Sequence, residues 1–285
     1  TGIRLTQDNI LGSSMDLSGI SGQNVKILID GIPIIGRQNG NIDLSQINLN
    51  NVERIEIVEG PLSVNYGSNA LAGTINIISK KTIPDGINLE INPYYESVGN
   101  YNLNLSAGVK VKKHNVLLNA GRNYFDGWSV SDPFFQFPKE RPADTNRFKT
   151  WKPKEQYFGE IQYNASFNGW QINPYGRYFN ELITNRGFPT YPYFETAFDD
   201  YYRTERLDVG ASCAKKFKKF QLSGQLAYNQ FNRIKNTYYH DLTTLEKSLS
   251  ETQGAQDTSD FDLINGRLIY QSNREKKLNY ETGLD

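Results

Sequence analysis

Cysteine is almost absent from this 285-residue chain: Cys213 stands alone, so no internal disulfide can form and the redox compartment stays open. Histidine occurs twice, at His114 in a tight turn and His240 in a long loop. That leaves no His pair at metal-ligand spacing and no Ser–His pair on a strand. Walker-type and dinucleotide glycine loops are missing as well. No catalytic residue, metal site or cofactor is assigned, and the chain reads as a non-enzyme. The acidic run Asp257, Asp260 and Asp262 reads as a solvated face. Net charge is also lacking: 31 basic and 31 acidic residues sum to +0, and no basic stripe is present, so nucleic acid is not expected as a partner. No run of about 18 apolar residues exists, which excludes a membrane-spanning helix. It does not exclude membrane strands, which turn only alternate residues to lipid. The first residues, TGIRLTQDNI, lack the basic and apolar regions of a signal peptide, so a leader is expected to have been removed or never to have been present.

What the chain has is aromatic residues, with 18 Tyr and 15 Phe, and a change of period partway along. Residues 1–82 are rich in Gly and Asn, with short apolar runs at 25–29, 55–58 and 75–78 that end in turn formers. They are expected to form a small mixed α/β domain, with a short helix within 42–52. After Pro84-Asp85-Gly86 the period becomes two. Tyr101, Leu103, Leu105, Ala107, Val109 and Val111 alternate with Asn102, Asn104, Ser106, Gly108 and Lys110, as in a strand with lipid on one face and water on the other.

Nine such strands are expected, near 87–95, 101–111, 115–125, 155–167, 170–180, 204–215, 219–231, 261–271 and 277–285, each close to the ~9–11 residues of a tilted membrane strand. Tight connections at Lys112 to His114, Asn168-Gly169, Lys216 to Lys218 and Ser272 to Lys276 alternate with long loops near 126–154, 181–203 and 232–260. Short turns on one side and long loops on the other are the pattern of an outer-membrane barrel. An odd strand count leaves an edge unpaired in lipid, so further strands are expected downstream of Asp285. The fold class is therefore mainly β: a small domain over 1–82, its N-terminal part missing, followed over 83–285 by antiparallel transmembrane strands of an incomplete barrel.

Three motifs in order carry a family resemblance. The first is the apolar strand Val25 to Ile29 closed by Asp30-Gly31-Ile32-Pro33, and the second is Val52 to Glu59 followed by Gly60-Pro61. The third runs from Tyr66-Gly67-Ser68 through Gly73-Thr74-Ile75-Asn76-Ile77-Ile78 to Lys80. Together they resemble the TonB-dependent outer-membrane receptors, and 1–82 resembles their plug domain. Asp30, Gly31, Gly60, Pro61, Tyr66, Gly67 and Gly73 read as turn residues that shape the plug, glycine because it accepts positive φ without penalty.

The resemblance implies active transport of a scarce nutrient across the outer membrane of a Gram-negative bacterium. An iron–siderophore or haem chelate is the expected substrate; a cobalamin or glycan importer and a passive porin or surface-binding barrel are the alternatives. It also implies TonB and its inner-membrane energising complex as partners, engaged by a segment ahead of Thr1, and a lipid bilayer around the barrel. Arg54, Glu56 and Glu59 are implied plug–barrel contacts, with Ile55 and Ile57 turned to the plug core. For the substrate, Arg37 and Gln38 at a plug apex are expected to donate hydrogen bonds to an anionic chelate. Loop aromatics, Trp128, Phe135, Tyr191, Tyr193, Tyr238 and Tyr239, with His240, are expected to line a vestibule.

Overall fold

The computed structural model describes residues 2–10, 12–17, 19–20, 22–37, 41–59, 72–130, 147–272 and 281–284. Strands β1 (Ile3–Asp8) and β2 (Gly12–Leu17) form an antiparallel hairpin. Strands β3 (Val25–Ile29), β4 (Ile32–Pro33), β5 (Val52–Glu59) and β6 (Gly73–Ser79) form a second sheet in the order β4-β3-β6-β5, with β3 and β6 parallel. The turn from β3 to β4 is the two-residue Asp30-Gly31, with φ of 53° and 84°. Positive φ at both positions matches the right-handed twist of the flanking strands, which is why Asp-Gly stands there.

One correction concerns helix content: among the described residues there is no α-helix, only the 3-10 turns Gly22–Asn24 and Leu44–Gln46. The helix expected within 42–52 is a single 3-10 turn, capped by Asp43 and followed at Ile47 by extended backbone and an Asn48 side chain that bonds the Asn50 N–H. Asp43 accepts from the Ser45 N–H at 2.9 Å, and Asn48 accepts from the Asn50 N–H at 2.9 Å. Ile42 and Ile47 are still buried, joining Leu17, Val25, Ile27, Ile34, Ile75 and Ile77 in one apolar cluster built wholly from residues before 80.

The remaining chain forms one antiparallel sheet. Its strands are β7 (Gly86–Glu96), β8 (Asn100–Val111), β9 (His114–Phe125), β10 (Lys154–Phe167), β11 (Trp170–Arg186), β12 (Thr196–Lys216), β13 (Phe220–Asp241), β14 (Lys247–Leu249), β15 (Gln256–Ser272) and β16 (Glu281–Leu284). The order is β16-β15-β13-β12-β11-β10-β9-β8-β7, with β14 added at the end of β13. Asn168 and Gly169, with φ of 47° and 79°, make the same kind of turn between β10 and β11. Each strand expected from alternation has a counterpart, but several run further toward the loop end. Strand β11 continues to Arg186, β12 starts at Thr196 and β13 reaches Asp241. The long loops there shrink to 187–195 and 242–255. Apolar alternation lapses where Asn180, Glu205 and Asn232 take the outward positions, yet ladder hydrogen bonds need no apolar side chain and the pairing continues.

Register fixes the two faces. Leu118, Ile161, Gly176, Val209, Tyr228 and Ile264 lie opposite one another across β9, β10, β11, β12, β13 and β15 on the outward face. Leu103, Ile161, Leu226 and Ile264 are 47%, 52%, 62% and 74% exposed there. An apolar band of this extent is a lipid-facing surface rather than a water-facing one. No helix among the described residues is long and apolar enough to cross a membrane.

Candidate functional site

The other face of the large sheet holds the side chains that touch the small one. Glu160 on β10, Arg177 on β11, Asp208 on β12 and Asn229 on β13 share that face by register. A charged group on a membrane strand is costly toward lipid, so parity turns these groups inward.

One cluster is centred on Asp30. Its carboxylate accepts from the Ser79 N–H at 3.0 Å, the Ser79 hydroxyl at 2.6 Å and the Arg177 guanidinium at 2.7 Å. Arg177 donates through Nε to Glu160 at 2.7 Å, and Asn51 donates to the other Glu160 oxygen at 3.0 Å. Burial pushes the Asp30 carboxyl up, but the Arg177 charge and both Ser79 donors outweigh it, so the group sits below the ordinary carboxylate range. Asp30 is thus more than a turn residue, since the positive φ of the turn aims its side chain at the wall.

A second cluster surrounds Glu181, which is 1% exposed. Gln46 donates to one of its oxygens at 2.9 Å and Gln156 to the other at 2.7 Å. Arg206 donates to the Ile35 carbonyl at 3.1 Å and to Gln46 Oε1 at 3.2 Å, while Lys154 donates to the Ser45 hydroxyl at 3.1 Å. Gly36, at φ 89°, lies against the fully buried Phe231 ring: a Cβ there would fall 2.3 Å from a ring carbon. Two open cavities lie elsewhere along the sheet. One of about 580 Å³ lies beside Asp30, Lys81 and Asn164; another of about 420 Å³ lies beside Asp8, Asn123 and Trp151.

The residues singled out from sequence distribute unevenly. Arg37 already donates to the Gly22 carbonyl at 2.8 Å and the Val25 carbonyl at 2.7 Å, so its guanidinium braces the small sheet where a free apex donor was expected. Arg54 pairs with Glu56 at 2.8 Å and with Glu53 at 3.2 Å on a face that the described wall strands leave exposed, while the Asp30 and Glu181 clusters make contacts to those strands. Ile55 and Ile57 lie opposite Ile77 and Ile75, but β5 is the sheet edge and they are half exposed rather than in the core. Gly73 has φ 152°. Gln38, Gly60, Pro61, Tyr66, Gly67, Phe135 and the Glu59 side chain lie outside the described residues.

Among the loop aromatics, Tyr191 and Tyr193 are exposed in 187–195, and Trp128 pairs by backbone hydrogen bonds with Trp151. Tyr238, Tyr239 and His240 belong to β13, not to a loop. His240 is buried, with Nδ1 3.1 Å from Asp199, whose other oxygen accepts from Arg147. That cluster ties the segment after 146 to β12 and β13, so His240 is a packing residue rather than a vestibule wall. Arg177, Glu160, Glu181 and Arg206 had escaped the sequence reading; charge at inward parity on a membrane strand is the signal that marks them.

A family model described as the TonB-dependent Receptor Plug Domain matches residues 1–74. The vitamin B12 transporter BtuB of Vibrio cholerae is 42% identical over 82 residues, a match covering 28% of this chain and 13% of that protein. Among solved structures, the closed form of the ferric-catecholate import receptor Fiu from E. coli K12 superposes with a TM-score of 0.57 at 13% identity, over 99% of this chain and 51% of that one. The pyoverdine outer membrane receptor FpvA from Pseudomonas aeruginosa PAO1 gives 0.53 at 15% identity, over 99% and 52%. The chain therefore spans about half of those structures, which share its fold. Residues 1–74 thus match the plug domain of TonB-dependent receptors, and the two-part β architecture is the fold of solved outer-membrane receptors.

Proposed function

We propose that the protein is a transporter of the bacterial outer membrane in which residues 1–82 form the plug and 83–285 part of the barrel wall, with TonB and its inner-membrane complex supplying the energy. The observation that carries this reading is how the two parts meet. The apolar core of the plug closes upon itself before residue 80, and its hydrogen bonds to the wall run through the side chains of Asp30, Gln46, Ser45 and Asn51 and the carbonyls of Gly31 and Ile35. Water can replace polar contacts when two surfaces part, whereas a shared apolar core cannot open without exposing its area. Such a stopper is built to move as a unit.

For the cargo we favour an iron chelate, entering past Tyr191, Tyr193 and Trp128 at the loop end. Cobalamin is the second reading, favoured by the similarity of residues in the plug to a vitamin B12 transporter. The test is uptake of radiolabelled ferric chelates and of cobalamin into cells expressing the full-length protein, with and without TonB. Energy-dependent uptake of one cargo that disappears without TonB is expected. Uptake indifferent to TonB would replace this reading with a passive pore.

A further inference from the structure

Charge is not spread evenly along the wall. The short turns joining β8 to β9 and β12 to β13 carry Lys112, Lys113, Lys218 and Lys219, and Lys215 and Lys216 end β12; all but the half-buried Lys215 are exposed. Among the described residues at this end, over 80–86, 110–115, 166–171, 214–221 and 270–272, Asp85 is the one carboxylate, and it pairs with Lys110 at 2.9 Å. In a chain whose net charge is +0, the turn end is therefore a basic rim.

Immediately inside the rim the outward face becomes aromatic. Phe217 stacks on Phe220 at 4.5 Å, and Phe220 on Tyr270 at 5.0 Å. Lys215 Nζ lies 5.2 Å from the ring centres of both Trp170 and Phe217. Aromatic rings at the edge of a lipid-facing apolar band sit at headgroup depth, and lysines beside them extend flexible stems from that depth toward water. Ammonium groups so placed meet lipid phosphates. A soluble acidic partner would need the turns but not the ring cluster on the lipid side.

We propose that this rim binds the phosphate headgroups of anionic phospholipids in the leaflet that faces the short turns, and so sets the depth and orientation of the barrel. The inference rests on the membrane reading above. Lys112, Lys113, Lys216 and Lys218 supply the attraction from the turn end; Trp170, Phe220 and Tyr270 fix the depth.

The test is electron spin resonance of spin-labelled phosphatidylglycerol and phosphatidylethanolamine around the full-length receptor in bilayers. Wild type should hold phosphatidylglycerol in its motionally restricted shell about threefold or more over phosphatidylethanolamine, given the attraction of juxtamembrane lysines to anionic lipid. The variant with Lys112, Lys113, Lys216 and Lys218 all changed to Gln should approach parity, while Lys247→Gln at the loop end keeps the preference. High salt applied to the wild type should also erase it, because the Debye length falls to about 3 Å at 1 M; this arm holds even if the fourfold variant does not fold. A receptor that never enters the bilayer contradicts the membrane reading itself. One that enters and holds both lipids equally, or keeps its preference in the fourfold variant or in high salt, overturns this proposal alone.

Discussion

Removing the charge of Asp30 separates a structural clamp from an incidental ion pair. The Asp30 and Arg177 side chains are 13% and 14% exposed and meet at 2.7 Å, well inside the contact between plug and wall. Exposed ion pairs contribute about 0–1 kcal/mol, whereas a hydrogen bond to a charged group in a desolvated site contributes about 1.5–3 kcal/mol. Asp30→Asn keeps the side chain's shape and one acceptor oxygen for the Ser79 N–H, and Arg177 keeps Glu160, so the substitution removes the charge together with the bonds accepted at the other oxygen. Arg177→Gln costs more, about 3–5 kcal/mol, because it also strips Glu160 of its cation. A double-mutant cycle on Asp30→Asn and Arg177→Gln should then give a coupling of about 1.5–3 kcal/mol. The assay is amide hydrogen exchange of β3 and β6 in the full-length receptor, in which the Ser79 N–H reports directly on the Asp30 carboxylate. That coupling corresponds to about a ten- to hundredfold change in exchange, at tenfold per 1.4 kcal/mol. A coupling under about 0.5 kcal/mol would refute the clamp and return the pair to ordinary surface electrostatics.

Gly36→Ala should weaken plug docking by about 1–3 kcal/mol, since it forces a side chain into both a positive φ and the Phe231 ring; an unchanged urea midpoint for the plug contradicts that contact. The Asp30 carboxyl, held below its ordinary value of 3.8, stays ionised in the folded state to lower pH than when unfolded. Its stabilisation is therefore complete above the ordinary range and is lost as pH falls through the lowered value, so the Ser79 amide should exchange faster only in acid, and a loss beginning near neutrality would point to another group. Ile161→Arg on the outward face should cost about 2–4 kcal/mol in folding into lipid vesicles if Ile161 lies near the bilayer midplane, and a neutral result would remove the membrane assignment of that face. Changing Tyr191 and Tyr193 together to Ala should lower uptake without moving the thermal midpoint of the barrel; full uptake would exclude them from the path.

Much of the wall was legible because a strand with lipid on one side and water on the other writes its period into the sequence. Tyr101 to Val111 shows this, and the turns Asn168-Gly169 and Asp30-Gly31 announce themselves by the φ they require. What the residues did not reveal was where each strand ends. Beyond the apolar band Asn180, Glu205 and Asn232 interrupt the outward face of β11, β12 and β13, so alternation breaks while the ladder continues, and Tyr238, Tyr239 and His240 read as loop though they are paired. The contact between plug and wall was hidden for another reason. Arg54 and Glu56 share a conspicuous charged strand and satisfy each other locally, whereas Asp30 and Arg177 are 147 positions apart and are joined only by the fold.

The same contrast bears on why the clamp is charged at all. A buried ion pair adds little net stability over a well-packed apolar substitute, because desolvating both partners offsets most of their attraction. Its distinguishing property is geometric: Arg177 holds Asp30 and Glu160 in one plane of hydrogen bonds, and Gln46 and Gln156 hold both oxygens of Glu181, so the plug is seated in one register along the wall. When the surfaces separate, each of these groups can be met by water, which limits the cost of opening to the difference between protein and water hydrogen bonds. An apolar seal of equal area would hold more tightly and would need more work to break. A stopper that returns to one seat after each displacement, as in the transport we propose, is served by specific polar contacts around a core of its own, and the cluster from Leu17 to Ile77, with Asp30 and Ser79 beside it, has that construction.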